Sequence, residues 1–414
     1  MNTAHPSRTT FNACHTGIAS LAGLALLSHL GGCGSTPDAS ASSQGTLTEQ
    51  AAPQESNITQ PQQPPTLAAG SAEESSINAP ESDPVLAPDT IDVTRVTFAQ
   101  EGADFDPSVS TDGSRLVFAS TQHRATSDIY YKRTDSRVVT QLTNDPADDA
   151  MPVISPDGTK VAFASNRSGN WDIYMMPITG SGGGGKAVQV TSDDADEMQP
   201  SWSPDGSHLV YSRSGTDGRW EMWVSKAGNN AAAQFIGYGL SPKWSPVAGT
   251  GEEGADKILF QLARERGRRS FSIWTLDYTD GKTTNVTEID GGSTLALLSP
   301  AWSPDGRWVT FAQADLSDPL NITPGKPRRT SIWMVSARGE GRVRLTSDQG
   351  VALSPVWAGD NTLYYISDRS GSDNIWSLRI GGALAAASAA VAPTAASPAT
   401  EALATAPDAP QSDE

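Results

Sequence analysis

The sequence predicts an all-β protein, a six-bladed β-propeller closed by an N-terminal strand and flanked by two disordered tails. Three observations lead there. A proline-anchored unit recurs six times, with anchors 45, 48, 42, 58 and 55 residues apart. Each unit carries signals for four short strands. The sixth unit lacks its fourth strand, and an unmatched strand of that kind stands before the first unit.

The unit is plainest in Gln199–Thr216, QPSWSPDGSHLVYSRSGT. Alternating apolar positions mark two half-buried strands. Between them Pro pre-sets φ at the first turn position, and Gly accepts the conformation that follows. One hairpin of this kind is at best marginal in water, so repetition is what makes it stable.

The elements follow in chain order. Residues 1–32 read as a lipoprotein signal peptide. One Arg, Arg8, precedes an apolar run from Gly17 to Leu30, too short to span a bilayer. The run ends in Leu30-Gly31-Gly32-Cys33, which resembles the bacterial lipobox. That resemblance implies cleavage before Cys33 and lipidation of its thiol, with Gly34 favouring the outer membrane. Cys14 would leave with the signal, so the mature chain could form no disulfide and no cysteine-based metal site.

Residues 33–90 form an acidic linker rich in Ser, Pro and Gln, with eight acids and no Lys or Arg, unable to offset its own ordering entropy. Residues 381–414 read as a second disordered tail, rich in Ala and Pro. Of the formal net charge of −18, the body at 91–380 keeps only −7. That mild balance argues against nucleic-acid binding.

Within the body the anchors are Pro107, Pro152, Pro200, Pro242, Pro300 and Pro355. Second strands carry Phe118, Phe163, Tyr211, Phe260, Phe311 and Tyr365 in register. Third strands carry apolar–aromatic pairs from Ile129-Tyr130 to Ile375-Trp376. Fourth strands carry an apolar residue and usually Thr: Leu142-Thr143, Val190-Thr191, Val286-Thr287 and Leu345-Thr346. Arg95-Val96-Thr97-Phe98 fits the same pattern and is expected to pair onto the last blade, removing the open edge.

The repeated Ser-Pro-Asp-Gly (Ser155–Gly158, Ser203–Gly206, Ser303–Gly306), the Asn166–Tyr174 run and Asp368-Arg-Ser-Gly with Asn-Ile-Trp resemble the TolB-type propeller repeat. The resemblance covers about 290 residues. It implies a propeller of the bacterial envelope that docks partners. TolB itself has an α/β domain ahead of its propeller, where this chain has the linker.

Catalytic chemistry finds no support in the sequence. After cleavage only His123 and His208 remain, and no Gly-x-Ser-x-Gly nucleophile motif is present. Gly180–Lys186 has P-loop spacing, but Ala187 replaces the Mg²⁺-binding hydroxyl and no helix pattern follows; it reads as an enlarged turn.

Charge is more informative. In propellers the fourth-to-first and second-to-third connections share one face. The first kind carry Asp145, Asp148 and Asp149, then Asp193, Asp194, Asp196 and Glu197. The second kind carry Arg264, Arg266, Arg268 and Arg269, then Lys326, Arg328 and Arg329. The expectation is a polarised face, its basic sector suited to carboxylates or phosphates and an acidic sector opposite. The function expected is a lipid-anchored, monomeric, non-catalytic docking platform for envelope proteins, on the outer membrane facing the periplasm, with no cofactor and no metal. The alternative is binding of a glycan or small anionic ligand at the channel mouth, for which the face offers Trp171, Trp220 and Phe271.

Overall fold

The computed structural model describes residues 92–179, 184–228, 232–263, 270–318, 321, 326–347 and 350–391. The expected signal segment (1–32), Cys33 and the expected linker (33–90) lie outside them. Among the described residues, twenty-four strands form six four-stranded antiparallel blades. The closing strand β1 (Val93–Arg95) comes first. Blade 1 is β2 (Asp104–Val109), β3 (Arg115–Ser120), β4 (Asp128–Arg133) and β5 (Val139–Gln141). Blade 2 is β6 (Asp149–Ile154), β7 (Lys160–Ser165), β8 (Asp172–Pro177) and β9 (Val188–Gln189). Blade 3 is β10 (Glu197–Trp202), β11 (His208–Ser214), β12 (Trp220–Lys226) and β13 (Ala233–Tyr238).

Blade 4 is β14 (Leu240–Trp244), β15 (Asp256–Ala263), β16 (Phe271–Thr279) and β17 (Lys282–Asp290). Blade 5 is β18 (Leu295–Trp302), β19 (Trp308–Asp315), β20 (Ser331–Ser336) and β21 (Val343–Arg344). Blades 4 and 5 also meet through one parallel pair, Phe271 with Ala296. Blade 6 is β22 (Ala352–Trp357), β23 (Thr362–Ser367) and β24 (Asn374–Arg379), completed by β1.

The closure follows the expectation with a shift. The paired strand is Val93–Arg95, opposite Leu378–Trp376, and the expected Val96-Thr97 forms the clamp just beyond it. Val96 N donates to Ile375 O at 2.9 Å, and Thr97 Oγ1 accepts from Ile375 N at 2.9 Å. The same clamp joins Leu142-Thr143 to Ile129, Val190-Thr191 to Ile173 and Leu345-Thr346 to Ile332. This is why Thr recurs there: its hydroxyl satisfies an amide at the start of the third strand. Blade 4 departs from expectation. Val286 is exposed, while Ile289 is buried and Asp290 lies opposite Ile273, so Ile289-Asp290 takes the place assigned to Val286-Thr287.

Every innermost strand has a bulge at its anchor proline. The preceding residue (Asp106, Met151, Gln199, Ser241, Ser299 or Ser354) has φ between 49° and 60°. Proline lacks the ladder donor and is tolerated at a bulge. The bulge turns the preceding amide sideways. Met151 N donates to Asp106 Oδ2 at 3.3 Å and Ser241 N to Gln199 Oε1 at 2.9 Å, stitching each blade to the one before.

The core lies between blades. All six second-strand aromatics and all six third-strand apolar residues (Ile129, Ile173, Met222, Ile273, Ile332, Ile375) are buried. Met222 and Val224 of blade 3 pack on Ile258 and Phe260 of blade 4. At the closure, Leu116 and Phe118 of blade 1 meet Tyr364 and Ile375 of blade 6. Burial on both faces of a sheet is what turns stacked hairpins into a ring.

The turns between first and second strands behave as the Pro-Asp-Gly reading requires. In Ser155–Gly158 the Ser Oγ donates to Asp157, Asp157 accepts from Thr159 N, and Gly158 holds φ 70°. In blade 6 the glycine place is taken by Asn361 at φ 60°. Asn tolerates that region better than other non-glycine residues. Asn361→Ala is therefore expected to cost about 1 kcal/mol in urea denaturation; an unchanged midpoint would mean the turn relaxes without strain.

One tail differs from expectation. Residues Gly381–Val391 form a helix, α1, in place of a disordered start to the tail. Ala383 and Ala387 are buried, one turn apart, and Leu384 and Val391 pack on the main core. A β-carbon at Gly341 would fall 2.5 Å from Val391 Cγ2, so the helix lies close against the blade 5 turn. Alanine makes this segment look featureless in sequence, yet it is the strongest helix former and permits close approach.

Candidate functional site

The two kinds of connection do share a face. Asp149 N donates to Ser127 O, Glu197 N to Trp171 O, and Asp104 N to Asp373 O. In each case a second-to-third loop meets the start of the next innermost strand. This loop-rich face is the candidate site.

Its acidic sector is turned inward. Asp149, fully buried, receives Arg167 Nη2 through both carboxylate oxygens at 2.8 Å. Arg167 also approaches Asp145 at 3.7 Å and lies 4.8 Å from the centre of the Tyr174 ring. Asp148 accepts from Ser127 N and Oγ, and Asp196 from Trp171 N. Arg213 is held by Asp193 at 3.0 Å and Glu197 at 3.2 Å, over the Trp223 ring. Asp193 and Asp194 are exposed, and of these two Asp194 has no ion pair among the described residues. The expected acidic surface is mostly internal: Arg167 and Arg213 each fasten their own blade to the connection that enters it, while Asp148 and Asp196 hold amides of the preceding blade.

Two acids stand out. Glu197 Oε2 and Asp172 Oδ1 are shielded from solvent and accept no hydrogen bond. Burial, with the neighbouring Asp193 and Asp172, pushes the Glu197 carboxyl up to about 9; burial raises Asp172 as well. A proton kept on Glu197 supplies the donor that the adjacent carboxylates otherwise lack.

The basic sector divides. Arg264, Arg266, Arg268 and Arg269 lie outside the described residues. Lys326 pairs with Asp373, and Arg329 with Asp318 at 3.7 Å. Arg328 is exposed, and its side chain makes no ion pair among the described residues. The Lys326–Asp373 pair brings the blade 5 loop to the 368–374 loop of blade 6. Ser372 Oγ there donates to Ala99 O at 2.9 Å, joining the closing segment.

Beside this junction stands a residue that the repeat pattern assigned to the closing strand. Phe98 lies outside β1 and is 59% exposed, with the Arg95 guanidinium 5.1 Å from its ring centre. Arg95 is held by the carbonyls of Thr97 and Ala99. The sequence signal for an exposed ring was present, an aromatic at the end of a strand that needs no further pairing. Of the other aromatics expected here, Trp171 and Trp220 are half-buried and Phe271 is buried. His123 is exposed, and His208 is half-buried with Ser207 Oγ 2.7 Å from its Nδ1. No cluster of three His, Cys, Asp or Glu suited to a metal occurs among the described residues. The Gly-rich segment that resembled a P-loop has its end pinned by a bridge between Ile178 and Gly184, and strand β9 follows it.

Residues 85–247 match the family described as TolB beta propeller domain, PD40. A protein TolB homolog of Chlorobium luteolum is 33% identical over 79 residues, covering 19% of this chain and 18% of the relative. A Tol-Pal system protein TolB of Anaeromyxobacter dehalogenans is 28% identical over 143 residues, 25% of this chain and 33% of the relative. The chain thus spans a third or less of the curated relatives named here. Among solved structures, TolB from Acinetobacter baumannii has 19% identity and TM-score 0.46, covering 61% of this chain and 57% of that one. Oligogalacturonate lyase from Vibrio parahaemolyticus has 13% identity and TM-score 0.47, covering 72% and 96%.

Proposed function

We propose that this protein is a non-catalytic docking platform of the bacterial envelope, whose loop-rich face over blades 5 and 6 and the closing segment receives a protein partner. The observation that carries this reading is Phe98, an exposed ring backed by Arg95; its neighbour Ala99 accepts from Ser372 of the blade 6 loop, and Asp373 of that loop pairs with Lys326 of the loop that also bears Arg328 and Arg329. Exposed aromatics beside arginines are characteristic anchors of protein interfaces. The partner that fits is a segment with an apolar side chain flanked by carboxylates. The TolB-type repeats and the lipobox at Cys33 agree with a lipid-anchored place on the outer membrane, facing the periplasm. Such a platform acts as a monomer and needs no cofactor. The glycan or anionic-ligand reading at the channel mouth draws less support, since Trp171 and Trp220 are half-buried and Phe271 is buried.

The test uses the full chain as bait in envelope extract, beside a variant carrying Phe98→Ser and Arg328→Glu. A protein retained by the first and reduced at least about tenfold by the second is the expected result. Retention of the same proteins by both would remove this face from the interaction.

A further inference from the structure

Two charged residues on the innermost strands flank an anchor proline. Asp106 directly precedes the anchor proline of blade 1, and Lys243 directly follows that of blade 4. They lie on innermost strands three blades apart in a ring of six, on opposite sides of the channel. At the two positions that flank the anchor, the other residues are uncharged: Met151, Val153, Gln199 and Ser201 in blades 2 and 3, for example, and serine, alanine or valine elsewhere.

Neither charge has an ion pair among the described residues. Asp106 accepts one hydrogen bond, from Met151 N at 3.3 Å. Lys243 has no side-chain hydrogen bond or ion pair among the described residues, and both are half-buried. Each feels the other's charge, and no other titratable group bears on either. No ion pair joins them, so the two charged groups are not in direct contact. Burial pushes the Asp106 carboxyl up to about 6 and lowers the Lys243 ammonium, which is the cost of holding two unpaired charges there. The ring does not need that cost, because the other blades close with hydroxyl, amide and alkyl groups at the same positions. The stitch from Asp106 to Met151 N needs no charge, since the Gln199 amide makes the same stitch to Ser241 N, and a charge kept beyond what the ring needs marks a functional position.

The charges also choose the ligand. A free cation at Asp106 would meet Lys243, and a free anion at Lys243 would meet Asp106. We propose that the propeller channel binds a small zwitterion, its ammonium on Asp106 and its carboxylate on Lys243. Ser299 and Ser354, half-exposed at the position equivalent to Asp106, offer hydroxyls to the same ligand. This site is independent of the docking face.

The full chain would be titrated by calorimetry and thermal shift with glycine, 4-aminobutyrate and 6-aminohexanoate, which differ in charge separation. Acetate and propylamine serve as single-charge probes. At least one zwitterion is expected to bind and raise Tm while both single-charge probes remain inert. Asp106→Asn and Lys243→Met should each weaken that binding at least about tenfold. The double exchange Asp106→Lys with Lys243→Asp should restore it. Circular dichroism and the unliganded Tm identify any variant that fails to fold, and the comparison of probes on the unaltered chain stands without the variants. The proposal is overturned if no zwitterion binds, if acetate or propylamine binds as well as the zwitterions, or if binding survives both single substitutions in folded protein.

Discussion

Asn374→Asp is expected to cost the propeller about 3 kcal/mol at neutral pH, opening the ring at its closure. Asn374 is fully buried. Its Oδ1 accepts from Ala99 N at 2.8 Å, and its Nδ2 donates to Ala99 O at 3.3 Å and Ser372 O at 3.2 Å. The amide thus reads both backbone groups of the incoming segment. Aspartate keeps the acceptor, loses both donors and sets a negative charge against two carbonyl oxygens in a shielded place. The neighbouring fastenings are the short pairing of β1 with β24, Val96 and Thr97 on Ile375, Ser372 Oγ on Ala99 O, and the buried Lys132, whose Nζ donates to Val96 O at 2.8 Å. Loss at Asn374 therefore propagates along the seam.

The measurement is urea denaturation followed by tryptophan fluorescence, with limited proteolysis of residues 92–103 as a local readout. Below about pH 4 a protonated aspartic acid regains a donor, so the deficit should shrink there. A variant whose midpoint and cleavage rate match the parent would show that closure does not limit the stability of the ring.

The second large effect concerns pH. Glu197 has an ordinary value of 4.5 and is held up to about 9 in the folded protein. Between those values the folded state binds a proton that the unfolded state has released. Stability from this group is therefore full below 4.5 and declines as pH rises toward 9, by about 1.4 kcal/mol per pH unit at most. Asp172, raised in the same direction, acts in the same sense. The expected result is a Tm that falls between pH 5.5 and pH 8.5.

Glu197→Gln keeps the shape, still accepts from Arg213 through its carbonyl oxygen, and carries a permanent donor for its acidic neighbours. It should flatten the profile, leaving Tm nearly unchanged at pH 5.5 and raising it at pH 8.5. Parallel profiles for parent and variant would mean that Glu197 ionises normally and that the two shielded oxygens are satisfied otherwise.

The repeat was readable because a propeller imposes the same demands six times. A buried ring at Phe118, Phe163 or Tyr365 and a turn residue of positive φ at Gly158 or Asn361 recur at fixed spacing, so local patterning reports them. The spare fourth strand was readable by the same logic, to within two or three residues. Blade 4 escaped because its outer strand runs to nine residues, and Val286-Thr287 mimics the clamp three residues early. Helix α1 escaped because an alanine run has the same composition whether it is packed or free.

The candidate site was less readable, for a reason of distance. Clusters of acids and bases along the chain showed which connections are charged but not what each charge faces. Arg167 and Asp149 are 18 residues apart, yet they meet as an ion pair beneath the surface; Lys326 and Asp373 meet across 47.

What the sequence determined by itself was the blade, its number and its closure, because strand period, turn chemistry and the anchor proline are local properties that act within about ten residues. Only the tertiary structure decided which charges are spent inside the protein. It paired the acids of blades 2 and 3 with arginines, left Phe98 in solvent and placed Asp106 and Lys243 three blades apart without ionic partners. Electrostatic free energy depends on distance and burial, and for residues on different blades both are fixed only when the ring closes.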